Sequence, residues 1–321
     1  MPGRKFKEAT QKARGLIVRA ERRFSGRPAG QSDSFLWEHS EHVAALCRRL
    51  AKEEGEDSDL AYLTGLFHDA GKFVGGQYHS DEQPEELAAS AAASKILDQT
   101  GFSRRSINRL TKALKSLYQP KAGPDTLADI VHDADFLSKF GRLGVAQFFI
   151  KSALRGRSLE RAITEYSSKE LTYAALLPRN MRTRAGRRLA GKKAAETLRY
   201  FEGLLREIKD MPGAPYRVKL FKVSRPGDSG RAVPVRLVLA ASCRRCGGRW
   251  VPEFSTETGI KCEKLEAALR CSGCGQSYRI SFCLPEIQAS DETRASSVHM
   301  KRRFGRRGQL ARRAFPSSDH S

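Results

Sequence analysis

Between about residues 34 and 210 the apolar positions recur with a helical period. In HVAALCRRLAKEEG, Val43, Leu46, Cys47 and Leu50 fall at i, i+3, i+4 and i+7, one stripe of an amphipathic helix. Related spacing runs through DLAYLTGLFHDAG, PEELAASAAASKILDQTG, SRRSINRLTKALKSLY, TLADIVHDADFLSKFG, GVAQFFIKSAL and RRLAGKKAAETLRYFEGLLREIKD. Gly55, Gly101 and Gly141 stand where helices should close, because a helix C-terminus favours the left-handed backbone that glycine adopts freely. About six to eight helices are predicted. Past MPGAPYR the pattern changes: YRVKLFKV, VPVRLVLAAS and SYRISFCL are rich in β-branched and aromatic residues and predict strands.

The expected fold class is mainly α. Residues 1–30 are read as a basic N-terminal arm and 31–212 as an all-helical bundle. Residues 213–290 are read as a small β-rich domain and 291–321 as a basic tail. The arm holds nine Lys/Arg against two Glu, and residues 294–313 hold eight Lys/Arg and no acid. Both termini are expected to be disordered, the tail until a partner binds.

Charge sharpens this picture. The chain has 321 residues, with 58 Lys+Arg against 36 Asp+Glu and a formal charge of +22. So basic a balance favours a polyanionic partner, RNA or DNA, because lysine and arginine displace counterions from a phosphate backbone. No run of 18 apolar residues is present, so no membrane span is expected, and the N-terminus lacks the apolar centre of a secretory signal. The expected location is cytoplasmic. The sequence carries no signal of oligomeric state.

The first candidate for chemistry is GLFHDAGKF at 65–73, where His68 and Asp69 follow an apolar run. Adjacent residues on a helix project about 100° apart, so they can share an ion only with ligands from other segments. SFLWEHSEHV offers His39 or His42, and VHDADFLSKFG offers Asp133 or Asp135. Imidazole and carboxylate together suit Mn, Fe, Co, Ni or Zn. Asp133 and Asp135 lie about 200° apart on a helix and cannot both face one metal. Taken alone, a His-Asp pair at a helix end is more often a satisfied polar pair than a site.

The three segments HSEHV (39–43), GLFHDAGK (65–72) and VHDADFLSKFGRLGVAQFF (131–149), in this order, resemble the signature segments of the HD-domain metal-dependent phosphohydrolases. Residues 176–205 are similar to the C-terminal helices of one branch, small enzymes that hydrolyse nucleotides. The resemblance implies an HD bundle in which His39, His68, Asp69 and Asp135 hold a divalent metal, Mn, Fe, Co, Ni or Mg. His39 is preferred over His42 because Val43 then falls where the family has its apolar residue. Asp135 is preferred because it directly follows Ala134, leaving Asp133 a supporting or capping role. Asp69 is the candidate proton acceptor, and Lys72 the candidate phosphate contact. Members with two metals carry extra histidines between the His-Asp pair and the last Asp. Here that interval holds only His79 and His132, which favours one metal.

Two further patterns bear on partners. Arg105, Arg109 and Lys112 share one face of a predicted helix, opposite Ile107, Leu110, Leu114 and Leu117, and form a candidate phosphate or nucleic-acid track. RNMRTRAGRRLAGKK carries a second basic run. The other pattern is the pair of Cys-x-x-Cys knuckles, Cys243/Cys246 and Cys271/Cys274. They resemble a zinc ribbon and predict one closed, structural four-thiolate Zn site. Clustered cysteines without a secretory signal read as metal ligands in a reducing compartment. Cys47, Cys262 and Cys283 are read as small buried residues. Arg244, Arg245 and Arg249, with Trp250 and Tyr278, could contact nucleic acid or simply pack the small domain. The expected function is metal-dependent phosphohydrolysis of a nucleotide or nucleic-acid phosphoester. The alternative is a non-catalytic nucleic-acid- or ribosome-associated protein on an HD scaffold.

Overall fold

The computed structural model describes residues 3–25, 34–72, 85–117, 125–208, 216–224, 232–240, 242–243, 245–258 and 263–283. The helices are α1 (Arg4–Ser25), α2 (Phe35–Glu54), α3 (Ser58–Phe67), α4 (Glu85–Gln99), α5 (Arg104–Ser116), α6 (Thr126–Ser138), α7 (Gly141–Leu154), α8 (Leu159–Arg161), α9 (Ser167–Asn180) and α10 (Arg184–Ile208). A π-helical turn, Ala162–Tyr166, joins α8 to α9. The strands are β1 (Tyr216–Ser224), β2 (Ala232–Ala240), β3 (Trp250–Thr258), β4 (Glu263–Cys271) and β5 (Ser277–Cys283). The mainly α class with a small β region holds. Among the described residues no helix is long and apolar enough to cross a membrane.

The N-terminal arm is corrected. Residues 4–25 are not disordered but form α1, because Phe6, Ala9, Ala13 and Ile17 make an apolar stripe beneath the charges and are buried against the bundle. Phe6 meets Tyr62 of α3 at 5.4 Å between ring centroids, and the Arg48 guanidinium lies over both rings. Glu21 of α1 accepts hydrogen bonds from the Ser34 hydroxyl and, at 3.1 Å, from the Leu36 N–H, so one helix caps the next. Charge dominates this segment's composition, but helical spacing decides its structure. The tail at 291–321 lies outside the described residues.

Helices α2, α3, α5 and α6 surround the main core, which includes Val43, Leu50, Leu63, Phe67, Leu110 and Val131. α2 and α3 cross closely at Gly65, where an added Cβ would stand 2.5 Å from Cys47 Sγ. The crossing is what lets α2 and the end of α3 present side chains to one point.

The β region has two antiparallel sheets, β1-β2 and β3-β4-β5. The segment EKLEAALRC reads locally as helix yet forms β4, because it pairs on both sides and alternates Leu265, Ala267 and Leu269 inward. This is tertiary pairing overriding propensity. Val235, Leu237, Leu265 and Ile280 share a core with Leu176 of α9, and Val238 packs with Phe201 and Leu205 of α10. The β residues therefore draw core from the helices as well as from one another. The Val238 N–H donates to Ser168 Oγ and the Arg236 N–H to Thr172 Oγ1, both at 2.9 Å. Side chains of α9 thus satisfy the open edge of β2, which would otherwise hold unpaired amides.

Candidate active site

Helix α2 starts at Ser34, whose hydroxyl accepts from the Trp37 N–H at 3.1 Å and sets the phase that turns His39 inward. Helix α3 starts at Asp57, which accepts from the Asp59 and Leu60 N–H groups, and ends at Phe67. His68 and Asp69 therefore do not share a helix, as the sequence suggested. They lie in tight turns just beyond it, with the Ala70 N–H on Phe67 O at 3.0 Å and the Lys72 N–H on Asp69 O at 3.0 Å. Gly71 makes these turns possible, since a Cβ there would stand 2.0 Å from the Glu85 carbonyl oxygen. Helix α6 supplies Asp135.

His39, His68 and Asp135 offer ligand atoms that all lie within 4.8 Å of one another, and all three residues are buried. His39 Nε2 is 3.4 Å from Asp135 Oδ1 and 3.6 Å from Asp69 Oδ2. His68 Nε2 is 3.4 Å from Asp69 Oδ2 and 3.8 Å from Asp135 Oδ1. His68 Nδ1 sits 2.7 Å from the Gly65 carbonyl oxygen. A carbonyl can only accept, so Nδ1 carries a proton and Nε2 is the ring nitrogen left facing the carboxylates. That Nε2 is buried without a hydrogen-bond partner, as is His39 Nδ1. Lone pairs facing carboxylates repel unless a cation stands between them, and two imidazoles with carboxylate oxygen are the donor set of a divalent transition metal. The residues fit the metal.

Electrostatics agree. Burial holds the His39 imidazole below its ordinary pKa against the pull of Asp135 and Asp69, so it stays a neutral donor. Burial works to raise the two carboxyls, but the groups beside them outweigh it. His68, Lys72 and His39 lower Asp69, and Lys139 with His39 and His68 lowers Asp135 well below the carboxylate range. Both aspartates are ionised and acceptor-only at neutral pH.

A second cluster lies in the β region, where Cys243, Cys246, Cys271 and Cys274 converge within the same limit. The two knuckles are copies of one turn. Cys243 N–H bonds Gly248 O and Gly247 N–H bonds Cys243 O; Cys271 N–H bonds Gln276 O and Gly275 N–H bonds Cys271 O. Gly247 and Gly275 take φ of 73° and 71°, the left-handed region each turn needs. Gly248 and Gly273 let the knuckles touch: a Cβ on Gly248 would stand 2.8 Å from Cys271 Sγ. Backbone amides of Cys274 and Gly273 bring the Cys271 thiol down to about 6 against burial. The Gly248 amide works the same way on Cys246, but sulfurs of Cys271, Cys274 and Cys243 push it up to about 12. Four thiolates crowd one another unless a cation neutralises them, which is the situation of a closed tetrahedral site. Cys47 is buried as expected. Cys283 is not a small buried residue: it is exposed and disulfide-bonded. Cys262, Arg244 and His79 lie outside the described residues, as does the side chain of Tyr278.

Residues 36–139, which span every member of the His–Asp cluster, match the HD domain family. This segment is an HD domain. A Ribonuclease Y from Lawsonia intracellularis is 29% identical over 148 residues, 45% of this chain, which spans about a quarter (26%) of that protein's length. YpgQ of Bacillus subtilis aligns at 20% identity over 64% of this chain and 98% of its own, with a TM-score of 0.45. An HD-superfamily hydrolase from Bacillus thuringiensis aligns at 18% identity over 63% and 100%, with a TM-score of 0.45.

Within the HD domain, the remaining predicted residues fall apart. His42 is half-buried and outside the cluster, its imidazole lowered to about 4 by burial, then by Lys193 and His39. Asp133 is fully buried and faces away, accepting from the Arg182 N–H, the Thr183 N–H and the Thr183 hydroxyl at 2.7–2.9 Å. Lys72 reaches Asp69 Oδ2 at 2.5 Å. The Arg105, Arg109 and Lys112 side chains are exposed on α5, and the last two meet acids from elsewhere. Arg109 pairs with Glu56 at 2.6 Å and Lys112 with Asp125 at 3.9 Å. Sequence reasoning missed Lys139, 2.8 Å from Asp135 Oδ2, although its i+4 spacing from Asp135 was a usable signal. It also missed Lys151, which burial and then Lys139 lower to about 8.

Proposed function

We propose that the chain is a metal-dependent phosphohydrolase acting on a phosphoester or phosphoanhydride of a nucleotide or nucleic acid. The observation that carries this reading is the partnerless Nε2 of His68, aimed with His39 and Asp135 at one point. His39, His68 and Asp135 would hold a divalent metal of the Mn, Fe, Co, Ni or Mg group, with Asp69 close enough to join them. When bound, such an ion lowers the pKa of its water and polarises a phosphoryl oxygen. Asp69, ionised and beside both histidines, can take a proton from water at that position. Its ion pair with Lys72 would orient the carboxylate, and an incoming phosphate would meet the Lys72 ammonium at the same place. The Gly65 carbonyl fixes the His68 tautomer.

The four cysteines would hold a structural Zn that ties the segment before β3 to the end of β4 and the β4–β5 turn. The nucleic-acid side of the reading is supported by the charge of +22 and by a relative of part of the chain that is named a ribonuclease. The same charge favours a second reading, a nucleic-acid- or ribosome-associated binding protein that no longer turns over. One assay separates them. Purified protein is given Mn, Co, Ni or Mg with nucleoside triphosphates, cyclic nucleotides and short RNA or DNA, beside the His68→Ala/Asp69→Ala variant. Metal-dependent phosphate or nucleotide release, lost in the variant, is expected. Nucleic-acid binding by both proteins with no turnover on any substrate favours the second reading.

A further inference from the structure

We propose that the substrate is a single strand of nucleic acid, seated along a row of aromatic-backed cations that leads away from the His–Asp cluster. The inference rests on the phosphohydrolase reading and names its substrate class. The row begins at the cluster itself. Lys139 holds Asp135 Oδ2 at 2.8 Å and lies 5.0 Å from the centroid of the Phe136 ring. Lys151 of α7 lies 4.9 Å over Phe35. Lys169 of α9 lies 5.4 Å over Tyr173, and the Arg157 guanidinium stacks 3.4 Å over Tyr166. All four cations are partly exposed.

These pairs are neighbours in space. Lys139 repels both Lys151 and Lys169, Lys72 also repels Lys151, and Arg155 and Arg157 also repel Lys169. Glu170 is the acid among them, and burial raises its carboxyl. Cations from α6, α7, the turn after α7, and α9 thus gather on one path, although like charges this close repel. Lys72 and Lys139 already balance Asp69 and Asp135. A dication would therefore leave the centre net positive, which calls for an anion there.

The extent of the row decides between ligands. A mononucleotide places its phosphates at the centre and has nothing for Lys169, Arg155 or Arg157 to hold. A strand continues past the scissile bond with one phosphate and one flat base per residue. That is the ligand for which charges alternating with aromatic faces are suited. An unpaired strand fits better than a duplex, whose bases are stacked inside and present no face to Tyr166 or Tyr173.

The test is fluorescence anisotropy with labelled RNA and DNA single strands of about 12 nucleotides, within the usual range of single-strand sites. Full-length protein loaded with zinc and Mn is titrated at several salt concentrations. The Arg155→Gln/Arg157→Gln/Lys169→Gln variant is expected to lose at least roughly tenfold in affinity, and its log–log salt slope to fall by about 2, at ~0.7 per phosphate contact. Arg157→Lys keeps the charge and should keep the slope while losing part of the affinity. Both should retain wild-type helicity by circular dichroism and wild-type metal content. Equal affinity for RNA and DNA, or preference for either, keeps the proposal and reports on the sugar. AMP or ATP displacing the strand at equal concentration overturns it, as does an unchanged affinity and slope in the triple variant. Wild-type turnover of bis(p-nitrophenyl) phosphate tests the phosphohydrolase reading separately. Strand binding on the row without any turnover would remove that reading and leave the row standing.

Discussion

Asp133 and Asp135 are two residues apart on α6, chemically identical, and assigned opposite work, so exchanging their losses is the sharpest test of the site. Asp133 Oδ1 accepts from the Arg182 N–H at 2.9 Å and lies 3.0 Å from His132 Nδ1; Oδ2 accepts from the Thr183 N–H at 2.8 Å and the Thr183 hydroxyl at 2.7 Å. This carboxylate holds the entry to α10. Gly186 shows how closely it is gripped, since a Cβ there would stand 2.2 Å from Asp133 Oδ2. Hydrogen bonds to a charged group are worth about 1.5–3 kcal/mol each but do not add, and stripping one partner from a buried charged network costs about 3–5 kcal/mol in all. Asp133→Ala is thus expected to cost about 3–5 kcal/mol, a fall in Tm of about 6–20 °C at 2–4 °C per kcal/mol. Asp133→Asn should cost less, because its amide group must face one backbone N–H donor while its oxygen still accepts from the other. Asp135→Asn should stay within about 2 kcal/mol of wild type without added transition metal, and lose the metal of the His–Asp cluster. Urea denaturation followed by Trp37 fluorescence gives the first quantity, and elemental analysis the second. Asp133→Ala within about 1 kcal/mol of wild type, or a full complement of metal in Asp135→Asn, would refute the assignment.

Other consequences are as direct. His68→Ala with Asp69→Ala should empty the cluster and leave the four-cysteine zinc in place; unchanged non-zinc metal in elemental analysis would sink the ligand assignment. Gly248→Ala puts a Cβ 2.8 Å from Cys271 Sγ and 3.0 Å from Gly273 N. It should lower zinc content in a chelator-release assay while helical circular dichroism persists, and a variant with full zinc would contradict the knuckle packing. Gly65→Ala meets Cys47 Sγ at 2.5 Å and Ala44 Cα at 3.0 Å, and should cost about 1–3 kcal/mol by overpacking. Adding Cys47→Ala should recover part of this, and an equal cost in both backgrounds would argue against that contact. His42 is lowered from 6.5 to about 4, so between these values the unfolded chain takes up a proton that the folded chain refuses. Stability should therefore fall as pH drops from about 6.5 to 4, by about 1–3 kcal/mol, and His42→Gln should flatten that limb of the stability–pH curve. The same slope in both proteins would count against the burial of this imidazole.

What could be read from the sequence is what the chain settles within one or two turns. The knuckles are legible because Cys243 with Gly247, and Cys271 with Gly275, close the same hydrogen-bonded turn from residues five apart or fewer. GLFHDAGK is legible as a motif, but not its geometry: α3 stops at Phe67, and the press of Gly71 against Glu85 O shapes the turns that follow. The β4 strand is made of helix-favouring residues, and its register is set by β3 and β5 rather than by those residues. The α1 helix was hidden by its charges, although the spacing of Phe6, Ala9, Ala13 and Ile17 was there to be found. Ion pairs across the chain were beyond reach. Residues 101–121 contain no acid, yet Arg109 meets Glu56 and Lys112 meets Asp125.

The same limit explains why the strand row went unseen. Its cations are spread from 139 to 169 of the sequence, Lys139, Lys151, Arg155, Arg157 and Lys169, and the aromatic rings they lie against are not all beside them in the chain. The basic runs that did stand out are partly neutralised once folded, as Arg109 and Lys112 are, and as Arg188 is by Glu53. Density of charge along a chain therefore misleads about where an anion would bind. A run on one helix face tends to find acids on the helices beside it. Scattered cations that the fold gathers around a buried His–Asp cluster, each laid against an aromatic ring, meet few acids and leave more field for a ligand. That is why the polyanion expected from the net charge is better sought along α6, α7 and α9 than on α5.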